Sequence, residues 1–186
     1  RWTRANAKRF GIDPNRIATI GGSAGGHLSG FMGATNGIAR FEGFGDHREH
    51  SSEVQASIVM CGAMDLLDPH ILQRINKAKD SPRGDSVIDF LGGHLPSKNE
   101  AIYKEASPLS HVGKHSPPYL FIDGQFDRPE VRYVDFRKRL ELHMIPNQFV
   151  LMPKGPHPFW VFEEWFEPTV DAVDAFLQKH LIAKGK

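Results

Sequence analysis

Residues 17–30 read IATIGGSAGGHLSG, an apolar run that turns into a glycine-rich segment around one serine. The run Ile17–Ile20 predicts a buried strand, and residues 24–35, which end at an Asn-Gly pair, predict a helix. Between them, Gly21-Gly22-Ser23-Ala24-Gly25 has the pattern G-x-S-x-G. In a strand-to-helix context this pattern places the serine on a sharp, strained turn with its hydroxyl above the strand end. Ser23 is therefore a candidate nucleophile.

The glycines of this segment predict a turn in which the chain passes close to itself. Side chains two places before and after Ser23 would collide, which explains glycine at Gly21 and Gly25. The free N–H groups at the start of the following helix favour a negative charge that develops beside the serine. A glycine-rich linker is the alternative interpretation, and a dinucleotide-binding loop is disfavoured because the segment lacks the G-x-G-x-x-G register.

The rest of the chain alternates between apolar runs and helical patterns. Strands are predicted at 54–61, 119–122 and 148–152, and helices at 2–10, 70–78, 87–91, 132–143 and 169–181. Apolar strands separated by helices indicate an α/β fold, with a parallel sheet that helices cover on both faces. The expected organisation is a single domain over residues 1–186.

Composition narrows the function classes. The 186 residues carry a net charge of only +1, which disfavours a nucleic-acid partner, and no apolar run is long enough for a membrane span. The single cysteine, Cys61, excludes an internal disulfide and is expected to be a buried, inert thiol. His47 and His50 are expected in a polar loop, without a metal site, and no cofactor is expected. The start of the chain is unlike a signal peptide, and the compartment stays open.

A nucleophilic serine needs a base and an orienting acid, which follow later strands at the same edge of a parallel sheet. His157 follows the strand 148–152 in a Gly-Pro-His-Pro loop, which suits neither helix nor strand. Asp123 and Asp127 both follow the strand 119–122. Asp127 is the preferred acid because it lies further along the loop, whereas Asp123 abuts the strand and is expected to pair locally.

Several motifs together resemble one known family. GGSAGGHLS, FLGG, YKEASPLSHV, SPPYLFIDGQFD and GPHPFW occur in this order over residues 6–181. They are similar to motifs of α/β-hydrolase esterases of the acetylesterase and feruloyl-esterase-like group, many of which act on plant or algal polysaccharides. The resemblance implies an α/β-hydrolase fold and a serine esterase with a carbohydrate ester as its substrate.

The family's roles carry over to matching positions. Ser23 corresponds to the nucleophile, Asp127 to the acid, His157 to the base, and the backbone N–H of Ala24 to one oxyanion-hole donor. Two positions depart from the family pattern: the valine after the acid comes one place late, and Pro158 replaces a glycine. A prolyl-oligopeptidase-type peptidase is the first alternative, disfavoured because Ala24 stands where that group often has tyrosine. An inactive module that keeps only the fold is the second.

The resemblance also implies a longer protein. The family has strands and a second oxyanion-donor loop before the nucleophile strand, whereas Ser23 stands close to the start of this chain. We therefore expect an upstream segment or a partner chain to complete the sheet and the oxyanion hole. Phe159 and Trp160 belong to an aromatic cluster after the base, with Phe162, Trp165 and Phe166. The cluster is expected to form core and pocket wall, with Phe159 and Trp160 as pocket candidates, and His27 is expected to pack on its helix.

Overall fold

A parallel sheet forms the centre of the computed structural model, which describes residues 1–78 and 84–182. Its strands pair side by side in chain order, and Gly22, Met60, Ile122 and Val150 lie at matching register positions. The strands are β1 (Ala18–Gly22), β2 (Ala56–Met60), β3 (Tyr119–Gly124) and β4 (Asn147–Met152). The predicted parallel sheet is confirmed, and the loops after all strands share one edge.

The helices follow the predicted positions, with some differences in their bounds. They are α1 (Trp2–Ala5), α2 (Ala7–Phe10), α3 (Ala24–Ala34), α4 (Pro69–Ala78), α5 (Ser86–Phe90), α6 (Glu100–Ala106), α7 (Pro129–Arg132), α8 (Val134–Leu142) and α9 (Phe166–Leu177). A π-helix, Gln178–Ile182, continues α9. In the described part of the chain, no helix is both long and apolar enough to cross a membrane.

The differences have local causes. The helix predicted at 2–10 breaks at Asn6, whose side-chain amide donates to the Trp2 carbonyl and so competes with backbone hydrogen bonds. Helix α9 begins three residues before its predicted start because Pro168 occupies its first turn, where no N–H is needed. Helix α6 was not predicted, since Tyr103 is its only buried residue and leaves almost no apolar period to detect.

Helices cover both faces of the sheet. Val59 and Phe121 point to one face, where they pack with Ala34 of α3 and with Phe136 and Leu140 of α8. Ile58, Leu120 and Ile122 point to the other face and pack against Phe176 of α9. Strands β2 and β3 are buried along their whole length, as interior strands of a two-sided sheet should be.

The segment between β2 and β3 forms a separate packing unit beside the sheet edge. Its helices α4, α5 and α6 gather around their own apolar cluster, in which Leu66, Ile75, Leu91 and Tyr103 are buried. Arg74 of α4 donates to the carboxylate of Asp85 at the start of α5, with Nε 2.7 Å from Oδ2. This segment therefore packs beside the edge of the sheet at which the strands end, and its apolar cluster is separate from the clusters on the two sheet faces.

Helix α3 lies unusually close to strand β2. A Cβ placed on Gly26 would stand 2.7 Å from the Met60 carbonyl oxygen and 3.0 Å from the Cα of Gly62. Because backbone atoms limit this space, only glycine fits at position 26. A Cβ on the neighbouring Gly25 would meet no atom within 4 Å.

We therefore expect Gly26→Ala to lower the free energy of unfolding by about 1–3 kcal/mol, because α3 must move away from β2. The matched control is Gly25→Ala in the same helical turn, which should leave stability unchanged or raise it slightly through helix propensity. Urea denaturation of both variants measures the difference. Equal stabilities would contradict the close packing described for Gly26.

Candidate active site

Ser23 lies on the turn between β1 and α3 in a strained backbone conformation. Its φ of 56° and ψ of −117° are costly for a residue with a side chain. Two hydrogen bonds hold this conformation: the Ser23 N–H donates to the Met60 carbonyl at 2.8 Å, and the His27 N–H donates to the Ser23 carbonyl at 3.0 Å. The hydroxyl consequently projects from the sheet edge at the start of α3.

The glycines around Ser23 differ in how closely other atoms surround them. A Cβ on Gly21 would lie 2.2 Å from the Gly25 carbonyl oxygen, so glycine is required at Gly21. A Cβ on Gly22 would lie 2.5 Å from the Trp160 ring. The expected collision at Gly25 is absent, because a Cβ there would point into open space. The expectation for Gly25 is therefore wrong, and Gly26 is the helical glycine that packing requires.

A chain of two hydrogen bonds links Ser23, His157 and Asp127. The Ser23 Oγ lies 2.9 Å from His157 Nε2, and His157 Nδ1 lies 2.6 Å from Asp127 Oδ2. The three residues follow β1, β4 and β3, so the shared edge of the parallel sheet brings them together from distant positions in the chain. With the imidazole proton on Nδ1, the histidine donates to the carboxylate and Nε2 is free to accept the serine proton.

Asp123 is fully buried and has a different set of partners. Its Oδ1 accepts from the Cys61 thiol at 2.8 Å and from the Gly124 N–H at 3.1 Å, while Oδ2 accepts from Arg132 Nε at 3.0 Å. Burial raises the pKa of Asp123 to about 6, although the Arg132 guanidinium opposes this change. Asp127, and not Asp123, is the carboxylate in contact with the histidine.

Arg132 joins the two aspartates, and it was not predicted from the sequence. Its Nη2 lies 2.8 Å from Asp127 Oδ2 and 2.6 Å from the Asp127 carbonyl oxygen, and its Nη1 donates to the Cys61 carbonyl at 3.3 Å. Burial alone would lower the pKa of Arg132, but the charges of Asp123 and Asp127 reverse the effect and keep it cationic. No local motif marks this arginine; its position shortly after β3, at the end of α7, was the available signal.

Cys61 and His27 are buried residues that pack next to the site. Cys61 is buried, as expected, and burial followed by the Asp123 charge raises the pKa of its thiol, which keeps it protonated. It also adopts a left-handed φ of 51° directly after β2. His27 is buried, with its Nε2 2.8 Å from the Ala106 carbonyl oxygen, and burial lowers its pKa. That hydrogen bond ties α3 to the end of α6.

A cavity of about 290 Å³ opens beside Ser23. Ser23, Ala24 and His157 lie on it together with a mainly apolar wall, formed by Leu28, Leu66, Ile71, Val87 and Phe90. Neither Phe159 nor Trp160 lines it, so the pocket prediction for these two residues is wrong. The short turn after His157 directs Phe159 into the sheet core, where it is fully buried.

The aromatic cluster after His157 only partly forms core. Trp160 packs edge-on against His157, with ring centroids 5.8 Å apart, and covers Gly22. Phe162 and Phe166 are exposed instead of buried, contrary to expectation. Trp160 therefore supports the histidine ring, whereas the outer aromatics face solvent in this chain.

The described residues hold one group of three side chains of the metal-ligand type: Cys61, Asp127 and His157, with ligand atoms within 4.8 Å of one another. The 2.6 Å between His157 Nδ1 and Asp127 Oδ2 is a hydrogen-bond distance. Two ligand atoms around one ion, each about 2 Å from it, would stand further apart. This geometry suits proton transfer. His47 and His50 lie together in a loop beside Glu49, as the sequence suggested.

Comparison with known proteins gives matches over most of the chain. Residues 1–139 match the family model described as BD-FAE. Esterase LipC of Mycobacterium tuberculosis is 31% identical over 186 residues, which cover 96% of this chain and 43% of LipC. The chain thus spans less than half the length of that relative.

Solved structures share the fold. A truncated carbohydrate esterase from gut microbiota aligns with a TM-score of 0.72 at 23% identity, over 95% of this chain and 65% of that protein. Esterase Est2 of Thermogutta terrifontis aligns with a TM-score of 0.65 at 22% identity, over 100% of this chain and 63% of that protein. At these identities the likeness establishes the α/β-hydrolase type of fold.

The raised pKa of Asp123 predicts a pH dependence of stability. Between pH 4 and pH 6 the folded protein holds a proton on Asp123 that the unfolded chain, with the ordinary value of 3.8, has released. The folded state then binds more protons, so the contribution of Asp123 to the free energy of unfolding falls as pH rises through this window. The expected change is on the order of 1–3 kcal/mol.

Asp123→Asn removes the titrating group and keeps the side-chain shape. Denaturation at several pH values should show that the stability of the wild type relative to this variant declines from pH 4 to pH 6. Asp135→Asn, an exposed change on α8, serves as the control and should give a constant difference. A constant difference for Asp123→Asn as well would mean that this carboxyl does not titrate in the window.

Proposed function

The chain belongs to the BD-FAE family, and we propose that it forms the catalytic part of a serine esterase that hydrolyses short acyl esters, acetyl or feruloyl, on a carbohydrate. The observation that carries this proposal is the hydrogen-bond chain from Ser23 through His157 to Asp127. The relative LipC is named as an esterase, which supports the reaction type. The structural neighbour from gut microbiota is named as a carbohydrate esterase, which supports the substrate class.

In the proposed mechanism, Ser23 Oγ attacks the ester carbonyl carbon while His157 Nε2 accepts the hydroxyl proton. Asp127 accepts the Nδ1–H hydrogen bond, which fixes the tautomer and stabilises the imidazolium. The tetrahedral intermediate collapses to an acyl-enzyme, and the alcohol leaves with the proton from Nε2. Water then repeats the sequence at the acyl carbon, giving the free acid and the serine.

The negative oxygen of the intermediate needs hydrogen-bond donors. Helix α3 begins at Ala24, so the Ala24 N–H is one of the first four helical amides, which have no acceptor within the helix. It lies beside Ser23 on the same cavity. We assign it as one oxyanion donor, with the positive end of the helix dipole behind it.

The cavity beside Ser23 suits the acyl group. Its wall is mainly apolar, and about 290 Å³ is ample for an acetyl group and gives room to a planar aromatic acyl group. Phe90 is half exposed, lines the cavity and packs at a near-right angle to the His27 ring, with centroids 5.8 Å apart. We propose that the exposed part of this ring packs against a feruloyl ring.

A further segment is part of the proposal. Among the residues that the structure describes, strand β1 pairs only with β2, and its Ile20 is 54% exposed on the open edge. Leu28 and Met32 of α3 are exposed as well. An apolar strand edge of this kind is a template for further strands. We propose that an upstream segment or a partner chain covers it and supplies a second oxyanion donor.

Arg132 acts in this proposal as a positioning residue. Its guanidinium holds both the carboxylate and the backbone carbonyl of Asp127, so it fixes the orientation in which Asp127 meets His157. The planar fork of arginine makes this possible, since a lysine offers one nitrogen in place of three.

Labelling with a fluorophosphonate probe tests the nucleophile. We expect the probe to modify Ser23 and no other residue, and Ser23→Ala to abolish labelling and to lower ester turnover by several orders of magnitude. Ser29→Ala in the same helix is a matched control that keeps the probe-reactive serine. Labelling that persists in Ser23→Ala would overturn the assignment.

The rate of ester turnover also tests the proposed upstream segment. A polypeptide extended upstream should turn over a short-chain ester about 10²–10³-fold faster than residues 1–186 alone, because one oxyanion donor contributes a factor of this size. Equal rates and equal thermal stability for the two polypeptides would contradict the proposed completion of the site.

Substitution of Arg132 tests its positioning role. Arg132→Gln should lower kcat roughly 10–100-fold with little change in KM for a small ester, and Arg132→Lys should restore only part of the loss, because it keeps the charge without the fork. Steady-state kinetics on the complete protein separate the two constants.

The single change also leaves the buried carboxylate of Asp123 without its cation, which is strongly destabilising. The double variant Asp123→Asn with Arg132→Gln removes this problem and should regain stability. Its kcat should stay low because Asp127 is still unsupported. A double variant with full activity would reduce Arg132 to a purely structural role.

A further inference from the structure

A second cavity, of about 190 Å³, adjoins the one at Ser23. The two cavities share the side chains of Ala63, Ile71, Arg74 and Arg132, so they are contiguous along the sheet edge. The second cavity lies between α4 and the segment 128–132 that follows Asp127. The second cavity is therefore the neighbouring space for the group on one side of an ester whose carbonyl lies at Ser23.

The lining of the second cavity combines hydrogen-bond donors and acceptors. Asp68 Oδ1 accepts from the His70 N–H at 2.8 Å, and Asp65 Oδ1 accepts from the Leu67 N–H at 2.9 Å. Among the described residues, the Oδ2 atom of each carboxylate has no hydrogen-bond partner. Arg128 hydrogen-bonds the His70 ring through one nitrogen of its guanidinium. The lining thus holds both carboxylate acceptors and guanidinium donors.

Charge balance decides which ligand fits this lining. Arg74 is paired with Asp85, and Arg132 is paired with Asp123 and Asp127. Among the described residues that line the cavity, Arg128 is the one cation that has no carboxylate partner. Two lining carboxylates, Asp65 and Asp68, balance its charge. The lining therefore has no excess of positive charge for an anionic ligand.

A neutral polyol matches this arrangement. Its hydroxyl groups donate to carboxylates and accept from a guanidinium at the same time. The side chains of Ile71 and Val131 add an apolar patch on which the C–H face of a sugar ring can pack. The first cavity, in contrast, offers mainly apolar side chains next to Ser23.

We infer that the second cavity, with Asp65, Asp68, His70 and Arg128, binds the alcohol half of the ester as a neutral sugar unit. The apolar cavity at Ser23 then receives the acyl group. This inference rests on the proposed esterase function and adds to it a division of the substrate between two cavities.

The test uses the complete protein that contains this chain and compares two acetate esters, a mono-acetylated methyl xyloside and ethyl acetate. The measured quantity is the ratio of their kcat/KM values. Asp68→Asn keeps the cap of α4, since asparagine also caps helices, and Arg128→Asn suits the left-handed φ of 62° at position 128. Each variant should lower the ratio about ten-fold, through KM of the xyloside.

The control variant is Asp135→Asn, an exposed carboxylate change on α8, which should leave the ratio as in the wild type. A third ester, an acetylated methyl glucuronoside, tests the charge argument. Faster turnover of this anionic sugar than of the neutral one would overturn the inference.

The outcomes separate this inference from the proposed function. Ser23-dependent hydrolysis of ethyl acetate, with an unchanged ratio in both cavity variants, would overturn the sugar site and leave the esterase proposal intact. If the protein hydrolyses neither ester, the esterase proposal fails. In that case NMR titration of the Ser23→Ala protein with methyl xyloside tests the sugar site by itself. Adding Asp68→Asn should weaken the binding of methyl xyloside about ten-fold. An unchanged affinity would overturn the sugar site.

Discussion

The closeness of helix α3 to strand β2 is the constraint on which the rest of the site depends. Gly26 and Gly62 let the two backbones approach until a single Cβ would collide, and the Ser23 N–H then reaches the Met60 carbonyl. This contact holds Ser23 at a φ of 56°, which the residue would otherwise avoid. If α3 and β2 lay further apart, Ser23 would adopt an unstrained backbone conformation, and its hydroxyl would lose the hydrogen bond with His157. Backbone packing is thus the source of the strain and of the geometry.

Sequence patterns were sufficient where the physics is local or periodic. The four apolar runs predicted the strands and their parallel arrangement, and the order of serine, aspartate and histidine after successive strands predicted which side chains meet. The choice between Asp123 and Asp127 also followed from position, because a carboxylate at the strand end is held in the sheet while one four residues later reaches outward.

Other features depend on contacts that no local pattern carries. The role of Gly25 was mistaken because the direction of a Cβ depends on how α3 enters its first turn. Phe159 and Trp160 were placed in the pocket because aromatic residues after the histidine suggest a wall, yet the turn directs one into the core. Arg132 has no local signal because its partners come from the ends of β2 and β3 and from the loop after β3, which meet only in the folded chain.

The packing of the segment between β2 and β3 has a consequence for how this protein can evolve. Its helices bury their apolar residues in a cluster of their own, and its side chains form much of the wall of both cavities. The reacting groups, in contrast, follow strands of the sheet. If the protein is the proposed esterase, substitutions in this segment can accumulate and alter substrate preference while the sheet and the groups that follow its strands keep their geometry. Selection can thus act on recognition and on chemistry as two largely separable traits within one polypeptide.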